Sequence, residues 1–239
     1  MRIFDAHYHI DRGAEGYNLQ AQNKNWIFNS TDQYTAWTAK VPDTDAQTLI
    51  FDFIKQQEYV VTEAASGRVD GLKIHSRLLK IQDHDYADLF DAYSRVSGLN
   101  LPTVIDAFYI GGEMEFQPNL NRIAEMVKLF PDNTFIIAHS GGIKVLEYFL
   151  QLKNRPNVVF ELSLSLSYLK YASVYRDFSV LLRYADRKRI IFGTDFPYVD
   201  ANDQLQVFLQ LADELNMSEE DRDKILFANA RGLFDGGIV

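Results

Sequence analysis

Ile3-Phe4-Asp5-Ala6-His7-Tyr8-His9 is an apolar run that closes on two histidines one residue apart. Side chains of a strand alternate between its faces, so His7 and His9 project together, about 7 Å apart along the chain. Two imidazoles so placed form a pincer for one ion. A lone His-x-His is weak evidence for a metal, because a strand also carries two histidines by chance. Its weight comes from what stands at the same place elsewhere, at the C-terminal ends of other apolar runs. There the sequence has Lys73 and His75, Asp106, His139, Glu161 and Ser163, and Asp195. Four of the five histidines belong to this set. The fifth, His84, sits in the polar stretch Gln82-Asp83-His84-Asp85 and reads as surface.

Outward from the first run, short apolar segments alternate with amphipathic ones. Residues 11–22, with Gly13 and Gly16, read as a loop over the end of strand one. Residues 25–29 and 34–39 read as strands two and three, too close together for a helix between them. Residues 43–66 carry Leu49, Phe53, Ile54 and Val60 at near-helical spacing and lead to Gly67. Beyond this the alternation is regular, with strands at 69–75, 101–106, 134–139, 157–162 and 189–195. Amphipathic helices lie between them, and two more, 203–216 and 218–229, follow the last strand. Some eight strands interleaved with helices predict an α/β chain folded as one (β/α)8 TIM barrel over 1–239, distorted between strands two and three. An open doubly wound sheet is the rival, but no G-x-G-x-x-G or G-x-x-x-x-G-K follows a strand.

The composition narrows the function. A hydrophobic content of 47% with 24% charged residues is that of an ordinary globular chain. The net charge of −9 offers no basic footprint for nucleic acid. With Cys at 0 there is neither a disulfide framework nor a thiolate ligand, so a metal would be held by imidazole and carboxylate. No apolar run reaches the roughly 18 residues that span a bilayer and no secretory leader is recognisable, so the expectation is a cytoplasmic protein without a membrane partner.

Barrel enzymes build their sites from the C-terminal strand ends, which brings these residues together. Several buried ionisable groups are costly unless a cation offsets them. Neutral imidazole and carboxylate oxygen suit Zn²⁺, with Mn²⁺ or Fe²⁺ as alternatives. Asp195 then accepts a proton from water or holds the water in line, and His139 stands opposite as acid, base or oxyanion stabiliser. Arg77 is placed to pair with a substrate carboxylate and Tyr198 to donate to it, although each equally reads as a polar loop residue. Lys73 faces the same side as His75 and balances negative charge. Ser163 has no G-x-S-x-G elbow around it, which argues against a serine nucleophile.

Asp5-Ala6-His7-Tyr8-His9, Gly71-Leu72-Lys73-Ile74-His75, Phe135-Ile136-Ile137-Ala138-His139-Ser140-Gly141-Gly142, Ile191-Phe192-Gly193-Thr194-Asp195-Phe196-Pro197 and Asn229-Ala230-Arg231-Gly232-Leu233-Phe234, taken in order, resemble the amidohydrolase superfamily. Within it they are most similar to the branch of aminocarboxymuconate semialdehyde decarboxylase-like, metal-dependent hydrolases of TIM-barrel fold. The resemblance implies one divalent metal, usually zinc, on His7 and His9, with Asp195 as ligand or base and His139 as the catalytic histidine of strand six. It implies hydrolysis of a C–N or C–O bond, or non-oxidative decarboxylation; the leading reading adds a small carboxylated substrate, with His75, Arg77, Lys73 and Tyr198 as the residues expected to bind it. The departure is strand five, which ends in Asp106 where this branch has a metal-ligating histidine. Asp106 is therefore expected either as a fourth ligand or as a sign of a lost metal. That leaves three alternatives open: non-oxidative decarboxylation, a metal-independent lactonase, and a metal-free small-molecule binding barrel. Barrels of this kind often pair, so a homodimer is a further expectation.

Overall fold

A computed structural model describes residues 1–10, 16–110 and 114–235. Eight parallel strands follow in chain order, β1 Phe4–His9, β2 Asn23–Phe28, β3 Ala46–Ile50, β4 Gly71–Ile74, β5 Thr103–Ile105, β6 Phe135–Ile137, β7 Val158–Glu161 and β8 Ile190–Ile191, each bonded to the next. The segment after β8 seals the ring against β1. Ala6 N–H donates to the Phe192 carbonyl at 3.1 Å, Asp195 N–H to that of His7 at 2.7 Å, and His9 N–H to that of Phe196 at 2.9 Å. The result is the TIM barrel expected from the alternation. Helices α1 Thr31–Trp37, α2 Gln57–Ala65, α3 Ser76–Leu79, α4 Tyr86–Ser97, α5 Leu120–Leu129 and α6 Val145–Leu152 connect the strands or flank them. So do α7 Ser165–Tyr168, α8 Asp177–Tyr184, α9 Ala201–Glu214, α10 Glu219–Asp223 and α11 Asn229–Phe234. Of the expected loop 11–22, residues 11–15 lie outside the described residues.

The expected distortion between strands two and three is not there. Residues 34–39 are helix and turn, because Ser30 caps α1 by accepting from Gln33 N–H at 3.1 Å, and Tyr34 folds back onto Phe28. The third strand is β3, inside the segment that read as helical, and it pairs with β2 in unbroken register from Asn25↔Ala46 to Phe28↔Leu49. Helix α2 follows it and buries Val60 and Ala64. On α4, Leu89, Ala92, Tyr93 and Val96 make the buried stripe that period 3.6 requires.

The irregular place is β1. Its register against β2 shifts between Asp5 and Tyr8, the mark of a bulge. Phe4 and Ala6 pack inside the barrel with Val104, Ile136, Val159 and Ile191, over Ala230 and Leu233 of α11. One residue beyond Ala6, His7 also faces inward, toward Glu161 and Asp195, while Tyr8 packs outside the ring. The bulge thus turns both histidines into the barrel mouth.

Asp5 holds this bend. Its buried carboxylate accepts from Thr194 N–H (2.8 Å), Thr194 Oγ1–H (2.7 Å), Tyr17 O–H (2.9 Å) and His7 N–H (3.2 Å). Burial pushes its pKa up, against the pull of the hydrogen bonds from Thr194 and Tyr17. Asp5→Ala would strand these donors without water, so a loss of about 3 kcal/mol is expected by urea unfolding. A loss below about 1 kcal/mol would show the seam to be held by packing instead.

Candidate active site

The strand ends bring their side chains to one mouth by bending the backbone. His139 (φ 58°), Ser140 (φ 50°), Leu164 (φ 57°) and Asp195 (φ 63°) all adopt left-handed conformations at the rim. Such strain persists only where the surroundings over-determine it, and it clusters at functional sites.

His7, His9 and Asp195 meet in a buried group. Asp195 Oδ1 lies 3.3 Å from His7 Nε2 and 3.2 Å from His9 Nε2. The hydrogens follow from the other ring nitrogens. His9 Nδ1 faces the Ile27 carbonyl at 3.1 Å, which only accepts, so Nδ1 carries a hydrogen. His7 Nδ1 lies 3.1 Å from Glu161 Oε2. Burial, reinforced by the charge of Lys73, keeps the His7 pKa well below its ordinary value, so this ring is neutral. Both rings turn Nε2 toward one carboxylate oxygen, the kind of ligand atoms that a divalent ion takes. Separations of 3.2 and 3.3 Å suit the edges of a tetrahedron about 3.4 Å on a side, as zinc bonds of roughly 2.1 Å produce. The Lys73 ammonium, 3.4 Å from His7 Nε2, donates to that lone pair, and an ion bound there would displace it. Burial opposes the ionised form of Asp195, but His9, His139 and Lys73 together hold its pKa below the ordinary value.

The facing wall is built on Asp106. Its Oδ2 accepts from Arg77 Nη2 at 2.9 Å, and its Oδ1 lies 3.4 Å from His139 Nε2. Despite burial, His75, His139 and Arg77 keep this carboxyl well below the usual range. His139 is pulled the other way. Burial disfavours its charge, yet the bond to Asp106 and the charges of Asp195, Asp106 and Glu161 raise its pKa. His75 Nδ1 lies 3.6 Å from Asp106 Oδ2, but it accepts from Leu78 N–H at 3.4 Å and so caps α3. Burial lowers its pKa to about 3, with Asp106 opposing, so His75 is a neutral ring and this contact is no ion pair.

Asp106 stands apart from both groups whose donor atoms converge, His7–His9–Asp195 and His7–His139–Glu161. The carboxylate read as a possible ligand instead faces Arg77 and His139. A pocket of about 410 Å³ lies over the centre. His9, Lys73, His75, Arg77, Asp106, His139, Asp195 and Tyr198 line it, whereas His7, Glu161 and Ser163 are buried beneath. The sequence reading missed Asn29, and also the apolar wall of Phe108, Ile110, Leu164 and Tyr168. Asn29 follows β2 directly, its Nδ2 3.4 Å from His9 Nδ1, and had a positional signal as the end of the segment 25–29. Phe108, Ile110 and Leu164 lie on loops, and Tyr168 ends the four-residue helix α7, where no periodicity marks them.

With this geometry in hand, the whole-chain comparison is decisive, because the amidohydrolase family profile matches residues 7–236. The chain belongs to the amidohydrolase family. No curated protein matches it in sequence. An uncharacterised TIM-barrel protein of Bordetella bronchiseptica is similar in structure at TM-score 0.72 and 18% identity, over 90% of this chain and 78% of that one. A structure described as a candidate 2-pyrone-4,6-dicarboxylic acid hydrolase of Pseudomonas putida has TM-score 0.70 and 16% identity, over 100% and 99%. A similarly described protein of Acinetobacter baumannii, with citric acid bound, has TM-score 0.70 and 14% identity, over 98% and 100%. At such identities the likeness is one of fold. This amidohydrolase is an enzyme with a hydrolase's architecture and donor groups able to take a metal. No helix among its described residues is long and apolar enough to cross a membrane.

Proposed function

We propose that this amidohydrolase hydrolyses a small carboxylated lactone, ester or cyclic amide, with Asp195 as base and His139 as acid. The observation that carries the reading is the meeting of His7 Nε2 and His9 Nε2 on Asp195, with the His139–Asp106 pair on the opposite side of the same pocket. Asp195 Oδ1 faces the imidazoles, so Oδ2 is the oxygen that takes a proton from water. The water oxygen bonds to the acyl carbon, and the C–O or C–N bond breaks with its electron pair on the leaving atom. That atom takes a proton from His139, whose charged form the site favours. His7, His9 and Asp195 are the residues that would hold a divalent ion, zinc first by ligand type. Bound there, the ion supplies Lewis-acid charge that acidifies water and polarises a carbonyl.

Arg77 points to the substrate's charge. Its Nη2 serves Asp106, while its Nε–H is buried without a partner among the described residues, and it lines the pocket. A substrate carboxylate would satisfy that donor. The two fold neighbours described as hydrolases of a dicarboxylated pyrone support this class. Arg77→Lys keeps a cation beside Asp106 but loses the fork, so KM is expected to rise about tenfold with kcat kept. An unchanged KM would remove Arg77 from substrate binding.

The test is a panel of carboxylated lactones, cyclic amides and aromatic acids, with products read by mass and the metal content measured on protein prepared without chelator. Gain of one water supports hydrolysis, and loss of carbon dioxide replaces it with decarboxylation. Lys73, a cation already beside His7 Nε2, favours a second reading in which Asp195 activates water without a metal. Turnover by metal-free protein would select it.

A further inference from the structure

Glu161, at the end of β7 and 1% exposed, touches both halves of the centre. Its Oε2 lies 3.1 Å from His7 Nδ1, 3.2 Å from the His139 backbone N and 2.7 Å from Ser163 Oγ. Its Oε1 lies 2.8 Å from the Ser163 backbone N. Ser163 Oγ is in turn 2.9 Å from His139 Nδ1.

The hydrogens can be placed by elimination. Each oxygen of Glu161 receives a backbone N–H, a direction that no tautomer reverses, and in its ionised form the carboxylate has no hydrogen of its own to give, so it acts as acceptor. His7 must then donate from Nδ1. Ser163 spends its one hydrogen on Glu161, which leaves its oxygen to accept from His139 Nδ1–H. We propose that Glu161 is the positioning residue that holds the Nδ1 hydrogen of both histidines in place, directly for His7 and through Ser163 for His139. His7 Nε2 is thereby a lone pair aimed at Asp195, and His139 Nδ1 a fixed donor. The residue that prepares the ion-binding half thus also orients the acid. An imidazole anchored by a carboxylate on its far nitrogen is the usual support of a metal-ligating histidine. Sharing that carboxylate with the catalytic histidine through a serine is the particular feature here.

This inference rests on the hydrolase reading only in its metal arm, and its test uses the intact chain with Co²⁺ as the probe. Glu161→Gln offers an amide that can accept only one of the two backbone N–H groups. Nitrogen NMR of the histidine rings is expected to show His7 switching its proton to Nε2, and Co²⁺ affinity to fall about 10–100-fold. Ser163→Ala is expected to leave the His7 tautomer and Co²⁺ affinity unchanged while the His139 Nδ1–H signal shifts and exchanges faster with water. If E161Q leaves both ring patterns as in the parent, or S163A moves both histidines alike, the proposal is overturned. Should E161Q not fold, S163A decides alone: His139 must change and His7 must not. A parent protein that binds no Co²⁺ defeats the metal reading of the site, whereas the ring tautomers still decide the role of Glu161.

Discussion

Gly193→Ala is expected to lower stability by about 3 kcal/mol, seen as a drop in the urea midpoint at constant slope. A Cβ there would stand 2.3 Å from Glu161 Oε1, 2.9 Å from His7 Cβ and 3.1 Å from the His7 N. None of these atoms retreats cheaply. Glu161 Oε1 is held by Ser163 N–H, and the His7 backbone is pinned on the β8 side by the bond from Asp195 N–H to its carbonyl. Overpacking alone costs about 1–3 kcal/mol, and displacing Glu161 would also strip buried donors of their acceptor. Gly232→Ala is the control. An added Cβ on this α11 glycine meets nothing within 4 Å, so a gain of about 0.5–1 kcal/mol is expected from helix propensity. If the two substitutions have equal effects, close approach is not why residue 193 is glycine.

Gly193 also shows what could be read before the fold was known. The strand ending Phe192-Gly193-Thr194-Asp195 was legible as an apolar run, and its last residue was placed correctly at the mouth with His7, His9 and His139. These positions follow from one rule, that parallel barrels expose the C-terminal ends of their strands. The need for a bare α-carbon at 193 was not legible, since it depends on Glu161, 32 residues earlier. Likewise β3 was hidden. Leu49, Phe53 and Val60 fit a helical period only because a strand and the following helix run close together, and Ser30 outweighed the strand propensity of 34–39 by capping a helix. Asp106 was legible as a departure from the family pattern. Its commitment to Arg77 and His139 needed three elements to be set side by side.

Asp195→Asn is expected to reduce kcat by about 10³-fold or more on any substrate found in the panel, because general-base catalysis supplies about 10²–10⁴ and an amide takes no proton. The substitution keeps shape in a residue only 5% exposed, so the barrel should survive it. Stability separates a catalytic role from a structural one. In the parent, two imidazoles turn Nε2 to a buried anionic oxygen, an arrangement suited to binding a cation. Asparagine keeps the shape and removes the cost of burying the charge, so Tm without added metal is expected to hold as activity disappears. His139→Asn should also lose kcat. If acid and base act in one step, the double variant should be little worse than the weaker single variant. Asp195→Asn retaining turnover within tenfold of the parent would end the assignment, and a marked fall in Tm would mean the carboxylate serves the fold.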